Sequence, residues 1–273
     1  MTTLTSATAK ETGAASPGRS RRGRARKAFV PLAAAAVLIG LWQAVCLVFS
    51  VPTYIVPAPS DVWDSLLTNW SPLLTNAVPT ALESVFGFLL GNVVAVLLAI
   101  LFVHWRSAER ALMPVALFIR TIPIVAVAPV LVIILGNGYA PKIAIGALIS
   151  FFPTLVNMVR GLDSVDSQSI ELLRVLSASR REVFWHVRVY ASLPYLFSSL
   201  KIATGSSVIG AIVAEWIGSS EGLGYLIIQA TYNYSTPLLY ATMVVASLLA
   251  VVFYALVGVA EKLIVTWEPE SAP

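Results

Sequence analysis

The chain has 273 residues, of which 58% are hydrophobic and only 12% are charged, with a formal net charge of +4. Soluble domains carry about 25% charged residues, so this composition excludes an ordinary globular domain and points to the bilayer. The basic surplus lies between the apolar runs, so it reads as membrane topology and not as a nucleic-acid surface.

Residues 1–27 are rich in Ser, Thr, Ala, Gly and Arg and end SRRGRARK. They predict a disordered, basic cytosolic tail, because no small-residue cleavage site follows the apolar run cleanly enough for a signal peptide. Six apolar runs follow, at about 28–50, 77–104, 112–136, 141–160, 195–217 and 236–264, each near the roughly 20 residues that cross a bilayer. The expected architecture is therefore all-α integral membrane, with six spans over 28–267 and a short cytosolic tail at 268–273.

With the N-terminus inside, the inner segments hold Arg106, Arg110, Arg160, Arg174, Arg180, Arg181, Arg188 and Lys262, and the outer segments hold only Lys142. That asymmetry places both termini in the cytosol. Trp63 and Trp70 outside, with Trp105 and Trp267 inside, suit interfacial anchors. The lone Cys46 lies in the first run, so no intrachain disulfide can form.

After the first span, Pro52, Pro57 and Pro59 predict an extended connection, with Ser60 capping a short helix at Asp61–Trp63. Gly87 and Gly91 form a GxxxG pair in the second span, which is either a close helix seam or a chance spacing. Glu83, at the outer start of that span, reads as interfacial. The third span carries Pro114, Pro123 and Pro129, whose freed carbonyls favour a kinked helix lining a pathway over a merely bent one. Arg120 and Lys201 lie near cytosolic ends and can snorkel. Glu215 closes the fifth span, serving either an outer gate or a hydrogen-bonded helix end. Beyond it Gly218, Gly222 and Gly224 forbid a simple continuing helix and predict a broken or re-entrant segment.

The loop at about 162–194 is the most informative part. From Glu171 it runs ELLRVLSASRREVFWHVRVYASLP. Leu172, Leu173, Val175 and Leu176, then Val183, Phe184 and Val187, recur at helical spacing among Arg174, Arg180, Arg181 and Arg188. Ser179 with Glu182 matches a capping box, so a second short helix begins there after a break at Ser177–Ala178. An apolar-faced helix pair between spans has two uses. It can dock a protein partner, with Leu172, Leu176, Val183 and Phe184 entering a groove and the arginines on its rim, or it can lie on the anionic inner leaflet.

This segment resembles the "EAA" loop of binding-protein-dependent ABC-importer permeases, with Glu171, Ala178, Leu193 and Pro194 in the motif's places. Ser177 stands where that family usually has Gly, and Tyr190 where many members have Pro. PAPSDVW, the Pro-containing third span, KIAIGALISFFPTLVNMVRGL and AEWIGSSEGLGYLI extend the likeness to the nitrate, sulfonate and taurine importer group, which also includes pyrimidine-precursor permeases. The resemblance implies a type I permease fold with a cytosolic coupling helix. It implies two ABC ATPase subunits, a second permease copy forming a homodimer, an extracytoplasmic solute-binding protein, and a multi-pass place in the cell membrane. It marks Glu171, Leu172, Arg174, Leu176, Ser177, Ala178, Arg180, Val183, Phe184, Leu193 and Pro194 as ATPase-coupling residues. Pro123, Pro129, Glu215, Gly222 and Gly224 are the pathway or gate candidates.

The chain has no Gly-Lys phosphate loop, and His104 and His186 are its only histidines, so no nucleotide site, metal site or cofactor is expected. An ion-driven secondary transporter is the alternative, but such folds carry matching broken helices in two repeats, which this sequence lacks. An intramembrane enzyme would have only Glu83, Glu215, Arg120 and Lys201 to work with.

Overall fold

The computed structural model describes residues 20–267, and every regular element among them is helical. The remainder of the expected basic tail, 1–19, and the tail at 268–273 lie outside the described residues. The chain divides into two units at Val51.

The first unit is α1, Ser20–Val48, which begins inside the stretch expected to be irregular. Its apolar part, Ala33–Val48, is shorter than a full span. Ser50 ends it in a left-handed conformation (φ +46°), with the Val51 N–H donating to the Cys46 carbonyl at 3.1 Å, a Schellman closure.

The second unit opens with α2, Pro59–Thr68. Its N-cap is Ala58 and not Ser60, because Pro59 fits the first helical position and the Asp61 carboxylate accepts the Ala58 N–H at 3.1 Å. Then come α3 (Trp70–His104), α4 (Arg106–Thr121), α5 (Ile124–Leu135) and α6 (Tyr139–Asp163). The loop helices α7 (Ser167–Val175) and α8 (Arg180–Val183) follow. A π-helical turn at Phe184–Arg188 joins α8 to α9, Val189–Glu215. The chain ends with α10 (Leu223–Tyr232) and α11 (Thr236–Ile264).

Among the described residues, four helical stretches are long and apolar enough to span a bilayer: α3, α6, Arg180–Glu215 and α11. A fifth span exists if α4 and α5 count together, although they meet at 99°. The third span is thus an elbow and not a kinked continuous helix. Pro123 disfavours helical backbone at Ile122, which is extended (φ −72°, ψ 124°), whereas Pro114 and Pro129 stay inside their helices. The fifth span differs as well. It passes through Pro194 without a break and continues into the loop as far as Arg180.

Small residues bring α3, α6 and α9 together. A Cβ on Gly87 would sit 3.0 Å from the Ile143 carbonyl, and one on Gly210 would sit 2.9 Å from Gly146 Cα. The Gly87–Gly91 pair is therefore a seam against α6. Between apolar helices in lipid there is no hydrophobic drive, so close backbone approach supplies the attraction. Inside the seam, the Thr154 hydroxyl donates to Asn92 Oδ1 at 2.5 Å, and Asn92 donates to the Phe88 carbonyl at 2.6 Å. Toward the loop end the same helices fill with larger groups, Phe102, Leu155, Met158, Val159 and Leu162. Lys201 on α9 does not simply reach for water; it pairs with Glu261 on α11.

Candidate functional site

Polar groups concentrate at two ends of the α3–α6–α9 trio. Glu83 and His104 are 21 residues apart on α3, about 30 Å at helical rise, which matches the hydrocarbon thickness of a bilayer.

The first end carries the loop. Asp163, at the last position of α6, accepts two hydrogen bonds from the Arg106 guanidinium at 2.8 and 2.9 Å and one from Arg188 at 3.2 Å. Arg188 also donates to the Leu162 carbonyl at 3.1 Å. This clasp ties the start of α4, the end of α6 and the π-helical turn, so the two ends of the loop are held together. Asp166 caps α7 through the Ser169 N–H. The break then forms as expected, by a Schellman closure. The Ala178 N–H reaches the Leu173 carbonyl and the Ser177 N–H reaches that of Arg174, both at 2.9 Å. This needs left-handed backbone at Ser177, which has φ +62°. The Ser179–Glu182 capping box is present, with N–H to oxygen distances of 2.7 and 3.2 Å.

The apolar residues of the loop part company. Leu172 and Leu176 are 60% and 69% exposed, and Val175 is exposed beside them. Val183 and Phe184 are buried. Phe184 packs into the cluster around Phe102 and Leu162, edge-on to His104 at 4.8 Å. Both pack toward the spans, unlike Leu172 and Leu176, and both also line the cavity beside the loop. A cavity of about 240 Å³ opens between the loop and α3, lined by Arg174, Arg180 and Arg188 with His104, Ile170 and Ala178. Glu171 is exposed, while Leu193 and Pro194 are half-buried within α9. The Tyr190 ring lies tilted against that of Trp267, with centroids 5.6 Å apart.

The other end is a buried node. Glu83 is wholly buried and not interfacial, its Oε1 accepting from Lys142 Nζ at 2.7 Å. Glu215, 1% exposed, accepts from the Thr80 hydroxyl at 2.6 Å and from the Gly224 N–H at 2.5 Å. Thr80 in turn accepts the Leu223 N–H at 2.8 Å, and Asn76 Oδ1 accepts that of Gly222 at 2.9 Å. The node thus binds the start of α10 to α3 and α9. Its glycines are dictated by contact. Gly222 has φ +111° and, like Gly224, leaves no room for a Cβ against the Glu215 carboxylate. Sequence reasoning singled out Glu215 and both glycines but missed Thr80 and Asn76 as partners there, and missed Lys142 as the partner of Glu83.

Beside the elbow, a cavity of about 520 Å³ lies between α4, α5, α6 and α9, walled by Ile119, Ile124, Ile149, Phe152 and Ile209. Arg120 lines it too, its guanidinium 4.6 Å above the Phe152 ring. Pro123 occupies the bend itself, and Pro129 lies inside α5.

A bundle of long apolar helices with an elbowed pair and a clasped polar loop is that of a membrane protein. Comparison with known proteins makes this specific: the chain belongs to the family described as binding-protein-dependent transport system inner membrane component, which matches residues 65–267. It is 35% identical over 224 residues to a probable ABC transporter permease protein of Haemophilus influenzae, covering 82% of this chain and 91% of that one. A formylaminopyrimidine transport permease protein of Halalkalibacterium halodurans is 30% identical, covering 91% of this chain and 99% of its own length. A riboflavin transport system permease protein of Chloroflexus aurantiacus is 32% identical, with 85% and 87% covered. The chain is therefore a permease component of a binding-protein-dependent ABC importer. It works with a separate ATPase and a solute-binding protein, and it is not itself the catalyst of hydrolysis.

Proposed function

We propose that two copies of this chain form the passage of an ATP-driven importer for a small anionic or planar solute, such as a sulfonate, nitrate, taurine or a pyrimidine-type precursor. Two ATPase subunits sit on the paired loops, and both termini face the cytosol. The observation that carries this reading is the Asp163 clasp, which holds the two ends of a loop with three exposed apolar residues, the end of α6 and the π-helical turn, to each other and to the start of α4. A push on Leu172, Val175 and Leu176 is thereby delivered to the spans. The arginine-lined cavity beside them can accept an acidic side chain of the ATPase.

The solute class draws support from the second cavity. Arg120, held over the Phe152 ring, offers a guanidinium cation in an apolar wall, which suits an oxyanion or an electron-rich ring. The names of the pyrimidine and riboflavin permeases point the same way. The experiment is uptake into vesicles holding the permease and ATPase, with the loaded binding protein on the outer side. Solute should enter only with ATP. Uptake by the permease alone under an ion gradient would replace this reading with the secondary transporter.

A further inference from the structure

The Glu83–Glu215 node raises a question of chemistry that import does not answer. Glu83 Oε2 is completely buried and meets no N–H or O–H donor. It stands one turn along α3 from Thr80, whose hydroxyl donates to Glu215, so the two buried carboxyls share one node. Two carboxylates cannot bond without a proton between them, and two bare charges side by side in a low-dielectric site repel strongly.

Every other oxygen of the pair is already served. Lys142 donates to Glu83 Oε1, Thr80 to Glu215 Oε1, and the Gly224 N–H to Glu215 Oε2. The remaining charged and titratable groups are Tyr139 and Glu221. The Tyr139 ring lies 5.6 Å from Lys142 Nζ, and its hydroxyl donates to Glu221 at 3.1 Å. Neither reaches the orphan oxygen.

We infer that Glu83 Oε2 is a proton-binding site: it carries one proton and donates it to Glu215, completing a neutral set with Lys142. The arrangement accounts for each buried atom. Glu215 is then a carboxylate with three donors, Glu83 a neutral acid that accepts once and donates once, and Lys142 the balancing cation. A metal cation would satisfy the same charge count, but N–H and O–H groups already occupy both Glu215 oxygens and would repel it. The bound proton relieves the repulsion on Glu215, whose two oxygens bridge Thr80 on α3 and Gly224 at the start of α10. This inference is independent of which solute is carried.

The test uses the full chain in lipid nanodiscs, by infrared difference spectroscopy at neutral pH and by thermal melting. Wild type should show a protonated-carboxyl C=O band that is absent from E83Q. In E215Q the band should shift or vanish, because its acceptor is no longer a carboxylate. E83Q should melt with wild type, since an amide N–H₂ replaces the O–H in place, while E83A and E215Q should melt earlier. Coincident wild-type and E83Q spectra would overturn the assignment. An E83Q chain melting as early as E83A would do the same.

Discussion

Ser177 holds a left-handed backbone (φ +62°) that a side chain with a Cβ adopts at a cost of about 1–2 kcal/mol. The closure of α7 requires that conformation, because both of its hydrogen bonds pass through residues 177 and 178. Ser177→Gly should therefore raise the melting temperature of the purified permease, by up to about 1 kcal/mol in stability after the extra freedom of glycine in the unfolded chain is deducted. Ser177→Val, β-branched at the same φ, should lower it. Equal melting of the two variants would dismiss strain at this turn. The break was legible in the sequence because capping and turn chemistry are local. The buried node was not. Glu83, Lys142 and Glu215 are far apart along the chain, and nothing in their spacing says that one lysine must serve a carboxylate two helices away. A charged residue near a span end looks the same on paper whether it turns to water or into the bundle.

At the scale of elements, the loop separates two roles that periodicity merges. Leu172 and Phe184 carry the same signal, an apolar residue on a short amphipathic helix. Which of them turns inward depends on the packing of α3 and α6, whose Phe102, Leu155 and Leu162 receive Phe184. Leu172→Asp together with Leu176→Asp should leave melting unchanged and reduce the ATPase recovered per permease. Phe184→Asp should lower both, because it puts a carboxylate into an apolar cluster at a cost of several kcal/mol. Melting curves and copurification, read side by side, separate the outcomes; a stable Phe184→Asp permease would mean that its burial does not hold the loop. The α4–α5 elbow was half legible. Three prolines marked the span as irregular, but only Pro123 breaks it, because the other two lie where their helices tolerate them.

For the whole molecule, the polar clasp at one end of α3 and the buried node at the other set a direction across the membrane. The proposed orientation puts the clasp in the cytosol, where the arginines of the loop obey the positive-inside rule. With Cys46 replaced, Arg180→Cys should resist a membrane-impermeant thiol reagent in intact cells, and Asn233→Cys should be labelled. The reverse pattern would invert the topology. Six apolar runs were readable from hydropathy alone. Their merging and breaking were not, because hydropathy carries no information on whether a helix passes through a proline or bends there.

The glycine and alanine seams have one more consequence. Where α3 and α6 meet backbone to backbone, with Gly91 crowding the Ala147 carbonyl, no layer of side chains remains to flex, and neither helix can slip along the other. The trio then behaves as a strut. On the proposed import cycle, a thrust received at the clasp would pass along the packed trio and be taken up at the joint in the chain, the Ile122–Pro123 elbow. That joint borders the Arg120 cavity, so under the proposed function a bend there would change the volume open to the cargo while the packed seam stays as it is.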